Sequence, residues 1–549
     1  MESKTNPAGW WIPPADVAPD RANRVDSMRH VLYRVGKPLF VAVSEGETVV
    51  ACDGTALMGR GDRPSESALP LKAWIPPLNP ADLGDPVFRR RYGLRFPYVA
   101  GAMANGITSV EMVRSMGEAG MIGFFGAAGL SLDRIESAID DLKAKLGDRP
   151  YGCNLIHSPY DPALEEATVD LYLRRGIRRV SASAYLDLTP SLVRYRLSGI
   201  HRDPKGRVVC PNQVLAKVSR VEVARKFLSP APAKWIAHLL DRGLLAAEQA
   251  ALAEGVPMAD DMTAEADSGG HTDNRPALAL LPVMTRLRDE MTDRYQYGEP
   301  VCVGLAGGIA TPESTAAAFA MGAAYVLTGS INQSCVEAGT SDAVRRMLAE
   351  AEQADVVMAP AADMFEMGVK VQVLKRGTLF AVRAAKLYDL YRRYDSWEAV
   401  PASERVRLER DCFRKSYAEE WADTRRFFLH RDPKQIDRAE RDPRHQMALV
   451  FRSYLGQSSN WAVSGDPQRK VDYQIWCGPA MGTFNEWVRG SLLEPPENRT
   501  VTTVAMNLLW GAAVITRINW LRLQRVDLPP EVCHVPPLST EQIRHYLEE

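Results

Sequence analysis

The sequence predicts an α/β protein built around a (β/α)8 barrel, with a small N-terminal α/β cap and a C-terminal helical domain. Three observations carry this. Eight short apolar runs alternate with amphipathic stretches over roughly 245 residues, the span such a barrel takes. The rival doubly wound sheet carries GxGxxG after its first strand, and this sequence does not supply it. After the second run stands Gly123-Phe124-Phe125-Gly126-Ala127-Ala128-Gly129, with the wrong spacing. Beyond residue 340 the text turns to long charge-interleaved stretches.

Residues 1–85 read as a cap segment. Runs 39–43 and 48–51 are joined by Ser44-Glu45-Gly46, a hairpin pattern. Arg60-Gly61-Asp62-Arg63-Pro64 and Pro76-Pro77-Leu78-Asn79-Pro80 read as connecting loops. Residues 86–340 hold the barrel, with strands expected at 98–103, 122–126, 151–156, 179–183, 214–218, 262–266, 301–305 and 325–328. Amphipathic helices are expected at 109–118, 132–145, 162–175 and 312–321. Residues 341–549 read as almost wholly helical, through 342–353, 379–394 and 403–429, with charges such as Glu404, Arg405 and Glu409 on solvated faces.

Composition excludes several classes. Lys and Arg total 67 against 68 Asp and Glu, so the basic excess of a general nucleic-acid binder is missing. At 46% hydrophobic residues there is ample apolar surface for a packed core, which argues against disorder. The eight cysteines are scattered with no CxxC pair, which fits a reduced, cytoplasmic protein better than a zinc module or a disulfide framework. Residues 1–20 lack the apolar core of a secretory signal. The late uncharged stretch 501–516 is sixteen residues with Asn507 inside, short of the ~20 of a membrane span, and is expected as a buried helix.

In a barrel the site lies at the carboxyl ends of the strands, with phosphate favoured after strands seven and eight. There the sequence places Gly307-Gly308-Ile309-Ala310-Thr311-Pro312, then Thr328-Gly329-Ser330. Glycines admit a ligand close to the backbone, and Thr311-Pro312 is a helix start, so these loops form a candidate anion cradle. After the sixth strand comes Glu265-Ala266-Asp267-Ser268-Gly269-Gly270-His271-Thr272-Asp273. His271, displayed after two glycines, is a candidate general acid or base. Asp267, His271 and Asp273 also admit a loose metal reading, and His271 a purely structural one. His157 is a second, weaker candidate. The remaining strand ends supply Ala102, Met103 and Asn105, then Asn154, then Lys217. Lys217 is a cation suited to the negative charge of a reduced flavin ring.

With these residues in hand, the barrel resembles the nitronate monooxygenase and enoyl-reductase group of FMN proteins. Ala264 to His271 is similar to that group's histidine loop, and Gly307-Gly308-Ile309 to its phosphate loop. Along nearly its full length the chain resembles the PfaD family, trans-acting enoyl reductases of polyunsaturated fatty acid and polyketide synthases. The carrying text is Gly9-Trp10-Trp11, the string from Ala359 to Gly377 with Ala361-Ala362-Asp363-Met364-Phe365-Glu366-Met367-Gly368, and Asp472-Tyr473-Gln474-Ile475-Trp476-Cys477-Gly478-Pro479-Ala480-Met481-Gly482. Asp267-Ser268 stands where many nitronate enzymes carry smaller residues, which favours the reductase branch.

The resemblance implies FMN contacted by Ala102, Met103, Asn105, Asn154, Lys217, Glu265, Gly269, Gly270, Gly307, Gly308, Gly329 and Ser330. It implies reduction of FMN at N5 by transiently docked NADPH. Hydride then passes to the β-carbon of an enoyl thioester on an acyl carrier protein, with His271 as proton donor or carbonyl polariser. It leaves no role for a resident metal. The helical region would hold an acyl tunnel and carrier-docking face, with Met364, Phe365, Met367, Trp476, Trp487 and Trp510 as tunnel candidates or simply as its own core. A homodimer is the commonest assembly. Three alternatives stand beside this reading: a nitronate monooxygenase-type flavin oxidase, a non-catalytic synthase scaffold, and a metal-dependent barrel hydrolase on Asp267 and His271.

Overall fold

The computed structural model describes residues 8–15, 19–59, 61–159 and 161–548. Arg60 of the expected loop and part of the 1–20 opening lie outside them. Eight parallel strands close into a barrel: β1 (Tyr98–Ala100), β2 (Ile122–Phe125), β3 (Gly152–Ile156), β4 (Arg179–Ser183), β5 (Gln213–Val218), β6 (Asp261–Glu265), β7 (Cys302–Ala306) and β8 (Val326–Thr328). β8 pairs with β1 to complete the ring. Each expected run is one of these strands. The barrel helices Val110–Glu118, Leu132–Leu146 and Pro162–Arg174 also fall where their pattern puts them, as does α1 (Pro312–Ala320). Ser109, Ser131, Asp161 and Thr311 cap them, each side chain accepting from a backbone N–H three residues on.

The N-terminal segment is a six-stranded sheet with the helix Val25–Tyr33. The expected hairpin is present as Leu39–Ser44 and Glu47–Ala51, turning through Glu45 and Gly46, both at positive φ. The strand Leu69–Ile75 was not foreseen. Leu71, Ala73 and Ile75 are buried in alternation, and Pro70 obscures that pattern in the sequence.

The region after 340 departs from a wholly helical reading. Val356–Pro360 and Lys370–Leu374 form an antiparallel pair, and Gly270–His271 adds to the other edge of Lys370–Leu374. The helix Phe380–Arg393 is α2. The stretch expected as one helix over 403–429 is broken. Ala402–Leu408 passes through a π turn at Glu409–Phe413, and Arg414 takes a left-handed φ of 58°. The chain restarts as α3 (Tyr417–Arg431) under a Ser416/Glu419 capping box. α4 (Pro443–Ser464) then crosses behind it.

The expected buried helix at 501–516 runs further, as α5 (Val501–Leu523). Its 23 residues are long and apolar enough to cross a membrane by length and composition, yet 83% of its apolar window is buried inside the protein. It packs on α1, where a Cβ on Gly511 would meet the Pro312 ring at 2.6 Å. Arg517 donates to the Arg34 carbonyl at 2.6 Å, so α5 also grips the N-terminal cap.

The helices after 356 have their own core, centred on Phe365, Phe380, Leu387, Phe413 and Phe451. One fully buried carboxylate ties it together. Asp472 accepts from the Tyr454 hydroxyl at 2.7 Å, pairs with Arg414 at 3.2 Å and Arg469 at 3.3 Å, and is bonded by Arg383 of α2. Removing it leaves three cations in poor solvent contact without their anion. Asp472→Ala is expected to lower stability by about 3–5 kcal/mol, read as an earlier urea unfolding transition, whereas an unchanged midpoint would mean the arginines find water instead.

Candidate functional site

A cavity of ≈860 Å3 opens at the carboxyl ends of the barrel strands. Every site residue named from the sequence lines it, from Ala102, Met103 and Asn105 after β1 to Gly329 and Ser330 after β8. His157 lines it as well.

The β7 and β8 ends form one side. Gly307 and Gly308 have φ of 85° and 76°, a region that strains any other residue. A Cβ on Gly307 would meet the Ala266 carbonyl carbon at 2.7 Å, while one on Gly308 would stand in open space. The amides of Gly308 and Gly329 donate to no other described residue. The Ser330 hydroxyl accepts from the Gly478 amide at 3.0 Å, which leaves its own proton to give. Thr311 caps α1 as its sequence suggests, and Ser314 Oγ accepts the Ala310 and Thr311 amides at 3.0 Å.

Opposite, Lys217 at the end of β5 pairs with Glu265 at the end of β6, Nζ to Oε1 at 2.7 Å. Asn154 is buried on β3, its Oδ1 accepting from Ser183 at 3.2 Å. Asn105 takes a left-handed φ of 58° and donates from Nδ2 to Ser459 of α4 at 2.9 Å. Met103 is half-buried against the core, its amide donating to Thr108 Oγ1 at 2.9 Å. His157 stacks on Tyr185 at 5.1 Å and faces Glu165 across 3.4 Å.

The loop after β6 is the most constrained element. Asp267 accepts from Asn274 at 2.8 Å and from Gln372 at 2.9 Å, and Gln372 also donates to the Ser268 carbonyl at 2.9 Å. Asp273 is occupied by Ser219 at 2.6 Å and Arg220 at 2.8 Å, which hold its carboxyl low, at about 2. Both carboxylates weighed as metal ligands are thus turned to loop anchoring, and among the described residues no cluster suited to a metal forms. His271 pairs instead with a residue to which the sequence assigned no role: Nε2 lies 3.3 Å from Asp363. Burial disfavours the imidazolium, but the Asp363 carboxylate beside it prevails and raises His271 above the ordinary imidazole value.

Gly269 and Gly478 meet backbone to backbone. A Cβ on Gly478 would lie 2.8 Å from the Gly269 amide, and one on Gly269 3.0 Å from that of Cys477. Asp363, Gln372, Ser459 and Gly478 were therefore missed as site-building residues. Only the family strings pointed to three of them, because their partners lie 90 to 350 residues away in the chain. Of the tunnel candidates, Met364, Phe365, Trp487 and Trp510 are core, Met367 is exposed and Trp476 alone reaches the cavity. The outer wall comes from α3 and α4 through Arg426, Phe427, Arg431, Arg452 and Gln457.

Comparison with known proteins agrees with this architecture. Residues 91–390, just over half of the 549, match the family model described as nitronate monooxygenase. Residues 394–473 match the inserted helical domain of acyl-carrier-protein S-malonyltransferase. The chain is 46% identical to a polyunsaturated fatty acid synthase polypeptide of Thraustochytrium over 83% of its length and 31% of that protein. It is 46% identical to polyketide biosynthesis protein PksE of Bacillus subtilis over 84% of its length and 62% of that protein. It thus spans from under a third to about three fifths of these two curated relatives. The crystal structure of the enoyl reductase domain of MlnA, from the macrolactin cluster of Bacillus amyloliquefaciens, superposes with a TM-score of 0.76 at 40% identity, covering 81% of this chain and all of that one. The chain therefore belongs to the nitronate monooxygenase family of barrels and, within it, to the PfaD-like enoyl reductases.

Proposed function

We propose that this chain is an FMN-dependent, NADPH-using enoyl reductase acting in trans on enoyl thioesters carried by an acyl carrier protein. The observation that carries the reading is one cavity joining unpaired backbone amides at β7 and β8 to a carboxylate-paired histidine after β6. The residues present fit FMN. The Gly308 and Gly329 amides and the Ser330 hydroxyl suit its phosphate. The Ser268 Oγ is buried with no partner, as a group awaiting a ligand would be. When bound, FMN supplies two-electron redox chemistry between NADPH and an alkene.

The chain's own residues then divide the work. Asn105, Asn154 and the glycine backbone at 269 and 270 hold the ring edge. Lys217, held by Glu265, places a positive charge at the ring's oxygen-bearing side. His271 moves a proton to the α-carbon of the thioester. The walls given by α3 and α4 admit the carrier-bound arm, a role consistent with the acyl-carrier-protein transferase insert that residues 394–473 resemble. The synthase context of the relatives supports the carrier partner.

Purified protein, reconstituted with FMN where needed, is expected to show flavin absorbance that bleaches with anaerobic NADPH and returns on adding an enoyl thioester. Return with a nitroalkane and oxygen instead would move the assignment to a nitronate monooxygenase. Absence of any flavin binding would leave a scaffold. Gly308→Ala puts a methyl into the cradle at a left-handed φ, at a cost of roughly 1–2 kcal/mol, and is expected to weaken FMN binding about tenfold by fluorescence titration; unchanged affinity would remove the phosphate from this loop. His271→Gln is expected to slow reoxidation of the reduced enzyme by enoyl thioester about 100-fold or more, measured by stopped flow.

A further inference from the structure

The Ala359 to Gly377 string has a structural consequence beyond pairing strands. Lys370–Leu374 receives Gly270–His271 as a neighbouring strand, with His271 opposite Val371. The turn that precedes it is closed by the Gly368 amide on the Phe365 carbonyl at 3.0 Å and the Ala361 amide on the Val369 carbonyl at 2.9 Å. Ala361, Met364 and Phe365 are buried on either side of Asp363, so the backbone that bears the carboxylate is pinned. Both Asp363 oxygens stand 3.3 Å from His271 Nε2. Both side chains line the cavity, and Nδ1 of His271 has no partner among the described residues.

We propose that Asp363 is a positioning residue for His271, fixing the ring with Nε2–H on its carboxylate so that Nδ1 is the atom that presents a proton to the substrate. The inference rests on the reading of His271 as proton donor and adds which nitrogen gives the proton and what orients it. The balance is direct. The alkene gains the hydride equivalent of NADPH at its β-carbon and a proton from His271 Nδ1–H at its α-carbon. Neutral His271 keeps Nε2–H on Asp363 and regains a proton from solvent, and NADP+ leaves.

The surrounding charges support this division. From β5 and β6, Lys217 and Glu265 reach toward His271 but neutralise one another at 2.7 Å. From α4, Arg452 donates to the Ala362 carbonyl at 3.0 Å and to Glu366 at 3.2 Å, steadying the Asp363 turn. Asp363 is the remaining anion that favours the imidazolium. Burial opposes its ionisation, but His271 holds it below the usual carboxylate range. Since the protonated ring is the active form, loss of this anion lowers the histidine pKa and removes activity from the alkaline side first.

The test is an NMR pH titration of isotopically labelled histidine in the flavin-loaded protein, with His271 assigned through H271Q. In D363N the His271 midpoint is expected to fall by about one unit or more, and in D363E to return toward wild type. The alkaline limb of thioester-driven reoxidation should move with it. An unchanged His271 midpoint in D363N overturns the proposal. Should D363N fail to fold, D363S asks the same question. If H271Q reoxidises at the wild-type rate, the proton-donor reading falls separately, and the titration still decides whether Asp363 controls the ring.

Discussion

The site depends on one backbone contact. Gly269 and Gly478 touch without side chains between them, and the Gly478 amide closes onto Ser330. That places the loops after β6 and β8 and the segment before Pro479 in a single packed unit. Gln372 completes it, bonding Asp267 and the Ser268 carbonyl while its own carbonyl accepts the Cys477 amide at 3.3 Å. A barrel alone would leave the histidine loop as an exposed excursion. Here it becomes an edge strand with fixed partners, and a fixed histidine is what proton transfer at a defined carbon requires.

This explains why text far downstream of the barrel belongs to the site. The segment 472–482 begins at Asp472, the anion that organises the helical layer, and ends at Gly482, where a Cβ would lie 2.1 Å from the Gln353 amide. Between these anchors the chain has little freedom, so Cys477-Gly478 reaches the histidine loop at one height only. Helices α3 and α4 hang from the same hub and wall the cavity. The stability of that layer and the geometry of the site are therefore linked through a single buried carboxylate.

Much of this was legible in the sequence, for physical reasons. Barrel strands are buried on both faces and read as unbroken apolar runs. Helix starts announce themselves through Ser, Asp and Thr caps. Strand-end residues such as Lys217, Gly308 and Ser330 follow from the barrel rule. The restart at Ser416 was also legible, since Ser416-x-x-Glu419 is a capping box, but charge periodicity across 403–429 hid the break at Arg414. Val356–Pro360 and Lys370–Leu374 were missed because each is only five residues, and their pairing with Gly270–His271 is long-range. Asp363 carried no local mark. Its role exists only once Lys370–Leu374 has brought its turn to His271.

The two cation–anion pairs in the cavity differ in a way that fits two tasks. Lys217 and Glu265 are 13% and 15% exposed, deep at the strand ends, whereas His271 and Asp363 are 31% and 45% exposed nearer the opening. A lysine held in a low-dielectric pocket by a close carboxylate acts as a fixed point charge, oriented before any ligand arrives. A histidine beside a carboxylate but open to water exchanges its proton at each turnover. Exchanging the two would fail on both counts: a sealed histidine could not be recharged, and a solvated lysine would lose much of its field to water. The depth at which β5 and β6 end, compared with the reach of the loop after β6, thus assigns the permanent charge to the cofactor side and the mobile proton to the substrate side.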